Sequence, residues 1–394
     1  MARALLADPE YAGKVAAGTM DDIRPCIMCY HCVSQAFWGE PVFCSVNAAA
    51  GRESELRIEP AAGHKKVLVI GGGPGGMEAA RVAALRGHSV TLCDKGKRLG
   101  GTLVYASVVN PDNDGFLNYL IGQMGKLQVE VRLKLEATPE LIDELKPDVV
   151  IVATGGRLTA PEIPGDNRHN VISGKDLRGL MDGTGRKFDW WWRVGVIVAS
   201  RIMPFLFRVP LVRWLTKVWM PIGGVVAIIG GDMVACELAQ FLVERRRRVT
   251  ILETSPDIAV EMAIGKRWNF LQRLRDERVA ILRNVDIEAI KPAGVRITDG
   301  EGKQRTIKVD TVVISGGMEP DGTLAESLEG KEAKGRFVVD ALREAAERTQ
   351  GPVLAELRTL GVEHRPYWIS NMIWVRGGIG AVRAMAGRED VARV

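Results

Sequence analysis

The sequence predicts an α/β protein with two Rossmann-like domains, the second inserted in the first, preceded by a cysteine-rich loop segment. Three observations lead there. Two apolar, β-branched runs, at 65–70 and 225–229, each pass through a glycine turn into a helical pattern and on to another apolar run. A buried-strand pattern returns after the second unit, at 311–315. Four of the six cysteines lie between Cys26 and Cys44, just ahead of the first glycine turn.

Residues 1–25 read as a short helix and a loop ending at Pro25, and 26–44 have too little periodicity to be read as anything but loop. A polar connector at 47–63 leads to a strand at 65–70, a helix at 74–86 and a strand at 89–93 that ends at Asp94. Further strands are expected at 130–135 and 149–153, the latter running into Thr154-Gly155-Gly156. The second unit places its strand at 225–229, its helix at about 233–244 and its next strand at 249–252, ended by Glu253. Alternation over 280–315 marks strands around a turn at Asp299-Gly300-Glu301-Gly302, and the pattern weakens after about 330. The expected domains are 1–64 for the cysteine segment, 65–185 and 309–394 for the first nucleotide fold, and 223–308 for the second, with a Trp-rich connector at 186–222.

With 394 residues, 46% of them hydrophobic, the chain can bury two or three cores. A net charge of +5 does not call for nucleic acid. The basic run at 245–248 follows the second helix and reads as a solvated end matched to the helix dipole. The histidines show no HxxxH or triad-like spacing, and no acid, base and nucleophile set for hydrolysis is visible. The first eleven residues are polar and carry Asp8 and Glu10, so no signal peptide is expected. Clustered cysteines without a secretory start fit a reducing compartment, with the cytoplasm as the expected location.

Cys26-x-x-Cys29-x-x-Cys32, followed after eleven residues by Cys44, offers four thiolates on one loop. Such a set can wrap a 4Fe-4S cluster while backbone N–H groups point at the sulfurs. Structural zinc also accepts four cysteines. A redox cofactor in the next segment would make an electron carrier useful, which favours the cluster. Tyr30 and His31 lie inside the motif as shielding groups rather than ligands. Gly71-x-Gly73-x-x-Gly76 matches the dinucleotide fingerprint, with Pro74 and Gly75 inside it. Asp94, with Lys95 beside it, is placed for ribose hydroxyls. Gly100-Gly101 and Ala153-Thr154-Gly155 are close backbone approaches that a bulky cofactor can use, or ordinary tight turns. The second loop, Gly230-Gly231-Asp232-Met233-Val234-Ala235, puts a carboxylate where the second fingerprint glycine belongs. Facing a pyrophosphate, it would cost about 4 kcal/mol per charge pair at 4 Å and a dielectric near 20, before screening. Glu253 suits an unphosphorylated ribose, hence NADH over NADPH. Cys93 and Cys236 read as small core residues.

The stretch 188–220 holds five of the nine tryptophans and is broken by Arg201, Pro204, Arg208 and Pro210, so it is not a spanning helix. Arg193, Arg201, Arg208, Arg213 and Lys217 can share a polar side opposite the aromatics. That pattern fits an interfacial helix on a membrane surface, a docking helix for a partner, or a buried connector.

At this point the residues resemble the C-terminal half of the old-yellow-enzyme-like iron–sulfur flavoproteins: 2,4-dienoyl-CoA reductase, 2-enoate reductases and trimethylamine dehydrogenase. The resemblance is carried by Leu5-Leu6-Ala7-Asp8-Pro9, Ile23-Arg24-Pro25-Cys26, the cysteine spacing, Cys44-x-Val46-Asn47, the first glycine fingerprint, Leu99-Gly100-Gly101, Val152-Ala153-Thr154-Gly155-Gly156 and Ile163-Pro164-Gly165. It covers roughly 1–320. It implies FAD in the first nucleotide fold and a flow from NADH to FAD to 4Fe-4S to FMN. That FMN sits in a TIM barrel that this sequence lacks, so an FMN-binding TIM-barrel subunit is the expected partner. An activated alkene of enoate or enoyl-CoA type is the implied substrate. In amine dehydrogenase relatives the flow runs outward. Two departures stand out: Asp232, and a C-terminus with Ile369-Ser370-Asn371 and Gly377-Gly378-Ile379-Gly380 where the family closes on an apolar strand and Gly-Asp. They leave open an altered FAD site, or an assembly subunit with decayed nucleotide sites.

Overall fold

The computed structural model describes residues 2–182, 209–220, 222–328, 350–367, 372–376, 378–386, 388 and 391. The tryptophans at 190–192, residues 369–371 and Gly377 lie outside that set. The chain divides into two compact units: Met1–Pro60, Gly96–Gln128 and Gly155–Asp321 form one, and Ala61–Lys95, Val129–Thr154 and Gly322–Val394 the other.

The smaller unit is built on a parallel sheet of β1 (Lys66–Ile70), β2 (Ser89–Asp94), β3 (Glu130–Leu133) and β4 (Val149–Val152), in the order β3-β2-β1-β4. The helix Pro74–Leu85 crosses from β1 to β2, as a parallel pair requires. Continuous apolar strands are what a sheet covered on both faces needs. Leu68, Ile70, Val150 and Val152 pack with Ile142, Ala325 and Leu328.

The larger unit has a five-stranded parallel sheet in the order β6-β13-β7-β8-β9. Its strands are β6 (Val171–Ser173), β7 (Val225–Ile229), β8 (Arg248–Leu252), β9 (Ala280–Leu282) and β13 (Thr311–Ile314). β6 and β13 lie outside the expected 223–308 span, so this sheet recruits chain from both flanks. A meander of β10 (Asp286–Lys291), β11 (Gly294–Thr298) and β12 (Gln304–Lys308) packs on one face through Val295 and Ile297. On the other face Ala235, Ala239, Leu242 and Leu274 fill the core.

The N-terminal part departs from the sequence reading. Residues expected as one short helix form α1 (Ala2–Ala7) and α2 (Tyr11–Ala16), with a single turn at Met20–Asp22. The cysteine segment, expected as loop throughout, contains α3 (His31–Trp38). Two turns are too short to show a helical period in sequence, and α3 ends on Gly39 in the left-handed region, φ 72°. Pro25 packs on Gly115, Asp22 binds Lys126 at 2.6 Å, and the Arg24 guanidinium lies over the Tyr119 ring. These contacts seat the cysteine segment on the helix Asp114–Lys126.

At the other end, Glu363–Tyr367 and Met372–Arg376 form an antiparallel pair followed by the helix Ile379–Ala386. No helix among the described residues is long and apolar enough to cross a membrane.

Candidate functional site

The first glycine loop is shaped by two glycines and left open by a third. Gly71 has φ +112°, and a Cβ there would lie 2.2 Å from the Ala153 carbonyl oxygen. A Cβ on Gly76 would lie 1.8 Å from the Gly71 carbonyl oxygen. Both are therefore demanded by the turn and by the approach of helix to strand. A Cβ on Gly73 or Gly75 would meet nothing within 4 Å. Only an incoming ligand makes a bare backbone at Gly73 necessary. The helix that starts at Pro74 has Gly73 as its N-cap and no side-chain cap, so its first N–H groups are presented for an anion. Asp94 stands at the end of β2 and accepts the Gly72 N–H at 2.6 Å, which fixes the loop. Lys95 sits on the surface, 3.9 Å from Glu136. Ala153 and Thr154 run beside Gly71, and the Ala153 N–H donates to the Ile70 carbonyl at 2.7 Å.

In the larger unit, Gly100 has φ +110° and a Cβ there would strike Leu117 and Val104 at 2.6 Å, so it is a packing glycine. Gly101 begins the helix Thr102–Val109. Gly155 has φ +78° and its carbonyl accepts the Asp321 N–H.

The second glycine loop follows the first with Asp232 and Ala235 at the second and third fingerprint positions. Glu253 accepts the Gly231 N–H as Asp94 accepts that of Gly72, and both pairs are separated by 22 residues. Asp232 has φ −67° and ψ 174°, against −74° and 178° at Gly73. The backbone path is thus the same, and the difference is the carboxylate. Its Oδ1 accepts the Ala235 N–H at 2.7 Å and the Ser315 hydroxyl at 2.9 Å. Asp232 caps its own helix and occupies the place that a ligand phosphate takes at an uncapped one. Sequence reading did not identify Ser315, whose only signal was its place at the end of an apolar strand. Gly230 keeps the left-handed turn with φ +103°, and Ala235 is fully buried where the third fingerprint glycine stood. Glu253 spends its other oxygen on the Ser255 N–H and the Thr254 hydroxyl.

The cysteine loop coils tightly because Met28 and Tyr30 both have left-handed backbone, with φ 52° and 65°. Burial pushes the Cys32 thiol up, and the neighbouring Cys29, Cys44 and Cys26 push it further. All four cysteines therefore share one neighbourhood. They do not close on one point: among the described residues, no three His, Cys, Asp or Glu side chains converge as for a single metal ion. His31 stacks on Phe43 at 5.8 Å, and the Arg3 guanidinium lies over the Tyr30 ring. Cys93 and Cys236 are buried in their sheets' cores, and burial pushes the Cys236 thiol up to about 12.

Met28 and Tyr30 also line a cavity of about 760 Å³, walled by Asn110, Glu237, Lys266 and Phe270. Next to it, α3 meets the helix Ile264–Asp276, where the Ile264 N–H donates to the Ser34 hydroxyl. One turn beyond that contact on each helix, Phe37 is 73% exposed and Trp268 is 78% exposed. Trp38, Phe43 and Ile264 are also exposed. In the sequence, Trp268 stands among polar residues on a helix that buries Phe270 and Leu274.

The family described as pyridine nucleotide-disulphide oxidoreductase matches residues 65–347. A metal reductase of Desulforamulus reducens is 32% identical over 88% of this chain and 52% of its own length. An NADH oxidase of Thermoanaerobacter brockii is 34% identical over 86% of this chain and 48% of its own. Among solved structures, a 2-naphthoyl-CoA reductase bound to 2-naphthoyl-CoA matches with a TM-score of 0.71 and 30% identity, over 85% of this chain and 46% of that one. The chain thus spans about half the length of the relatives it matches.

Proposed function

The chain belongs to the pyridine nucleotide-disulphide oxidoreductase family, and from that premise we propose that it relays electrons from NADH, through FAD and a 4Fe-4S cluster, to an FMN-binding TIM-barrel subunit that reduces an activated alkene. It is an electron-transfer flavoprotein oxidoreductase, and FAD and NAD(P)H binding fit its family. The observation that carries the reading is the uncapped helix start at Gly73, open to a ligand and demanded by nothing in the fold.

Bound in this chain, FAD would accept electrons in pairs from NADH, and the cluster would pass them on one at a time. The residues divide the work of holding these groups. The N–H groups of Gly73, Gly75 and Gly76 take the pyrophosphate of FAD, while Asp94 with Lys95 takes its ribose end. Ala153 and Thr154 supply small side chains along the flavin. Gly230, Ala235 and Glu253 shape the NADH loop, with Asp232 as its weak point. Cys26, Cys29, Cys32 and Cys44 hold the cluster. A multi-iron group, unlike zinc, has the redox chemistry that a relay beside a flavin needs. The exposed aromatic face of α3 and Trp268 lies beside the cysteine loop and is the surface offered to the FMN subunit. The alkene substrate class is supported by the likeness to the naphthoyl-CoA reductase.

The test is a visible spectrum of anaerobically purified protein before and after NADH, with iron and flavin quantified. Four irons and one FAD per chain, bleached by NADH, are the expected result. Zinc in place of iron, or absent flavin, overturns it and favours an assembly role. A second reading, outward flow of the amine-dehydrogenase type, draws on the self-capped loop at Asp232. Iron and flavin present but unmoved by NADH would favour it.

A further inference from the structure

The helix α9 (Val209–Val218; α4 to α8 being Pro74–Leu85, Thr102–Val109, Asp114–Lys126, Pro139–Leu145 and Gly174–Asp182) is turned inside out for a helix of a water-soluble domain. Arg213 and Thr216 face inward. Arg213 donates to the Ser107 and Val108 carbonyls and binds Asp114 at 2.6 Å. The Thr216 hydroxyl accepts from Arg245 at 2.9 Å, and Arg245 also donates to the Arg213 carbonyl. Of its apolar residues, only Val212 is buried. Leu211, Trp214, Leu215 and Val218, spaced i, i+3, i+4 and i+7, form one exposed stripe, and Trp214 and Val218 are 58% and 68% exposed. Trp219 extends it, and Lys217 is exposed at its margin. Buried, paired arginines hold the helix in this orientation, so the stripe cannot roll inward without stranding charge.

We propose that this stripe rests on an anionic membrane surface, with α9 lying in the interface. Charge decides between lipid and a protein partner. From Trp190 to Met220 the sequence has no carboxylate and five cations, at positions 193, 201, 208, 213 and 217, of which Arg213 is spent on Asp114. Trp214 and Trp219 beside the exposed Lys217, on a helix whose preceding sequence is cationic, are the composition that anionic headgroups retain. A protein interface has no need to exclude carboxylates over thirty residues.

The full chain is mixed with vesicles of phosphatidylcholine alone, or of phosphatidylcholine with phosphatidylglycerol, and sedimented. Binding is expected only with phosphatidylglycerol, weakened by high salt, and reduced roughly tenfold in Trp214→Glu/Val218→Glu. Both side chains face solvent, so the double variant should melt with the wild type, which separates lost binding from lost folding. Lys217→Glu should weaken binding less than the double variant. Failure to sediment with either vesicle overturns the proposal and leaves a protein partner. Binding undiminished in the double variant removes α9 from it.

Discussion

At the start of the helix Met233–Val243 the Asp232 carboxylate caps the helix, where the proposed NADH would bring its pyrophosphate, and substitutions can separate the two effects. Asp232→Asn keeps a capping oxygen and removes the charge. It should leave the melting temperature unchanged and tighten NADH about tenfold, a gain of about 1.4 kcal/mol. Asp232→Ala should give a similar gain in affinity but lose about 1 kcal/mol of stability with the cap. Thermal melts and NADH titrations of the two variants check this, and unchanged affinity in both would show that Asp232 does not face the ligand. A second residue reports on pH. Asp8 is buried and accepts from Lys14 at 2.8 Å and from the Arg24 and Glu10 N–H groups. Burial opposes its charge, but Lys14 and the N–H groups prevail and hold its carboxyl below the usual 3.8. A lowered folded pKa stabilises above the unfolded value and loses that contribution as pH falls through the folded one. Asp8→Asn should therefore melt below the wild type at neutral pH, with the gap closing below pH 3.8.

Elements decide what each glycine is for. The strand-turn-helix at 66–85 needs Gly71 and Gly76 for its own packing and Gly73 for none of it. Gly76→Ala pushes a Cβ into the Gly71 carbonyl, which should cost at least the ~1–3 kcal/mol of an overpacked core. Gly73→Ala, at φ −74°, strains nothing and should melt like the wild-type apoprotein. It should nonetheless bind markedly less FAD, because its methyl group stands where pyrophosphate approaches. Flavin content against apoprotein melting temperature separates the two variants. Equal flavin in wild type and Gly73→Ala would mean that the open loop is not the FAD site.

Among the described residues two exposed apolar surfaces stand out, and each has its own prediction. The face of α3 and Trp268 is assigned to the FMN subunit, and the stripe of α9 to lipid. Phe37→Ser and Trp268→Ser should leave iron, flavin and NADH bleaching unchanged, since both side chains are largely exposed. With the partner present, they should raise the concentration of partner needed for half-maximal turnover by about tenfold, the loss expected of an interface aromatic worth over 1 kcal/mol. Turnover that stays at the wild-type level at every partner concentration would move the docking site elsewhere.

Sequence by itself determined the two β-α-β units, because buried parallel strands must be continuous apolar runs and a turn onto a helix must contain glycine. Strands at 66–70, 89–94, 225–229 and 248–252 lie within a residue of their expected bounds for that reason. It also marked the four cysteines and Asp232, since residue type alone carries their chemistry. Other features were settled only by long-range contacts. The sheet of the larger unit takes Val171–Ser173 and Thr311–Ile314 from outside the expected span: the first has only three residues and no period to read, and the second was legible as a strand but not as a member of this sheet. α3 was hidden by its length, and Ser315 by its distance in sequence from Asp232. Composition left the amphipathic 209–218 stretch open to either orientation. Which side of that helix meets water depends on Asp114 and Arg245, which only the folded chain brings to Arg213 and Thr216.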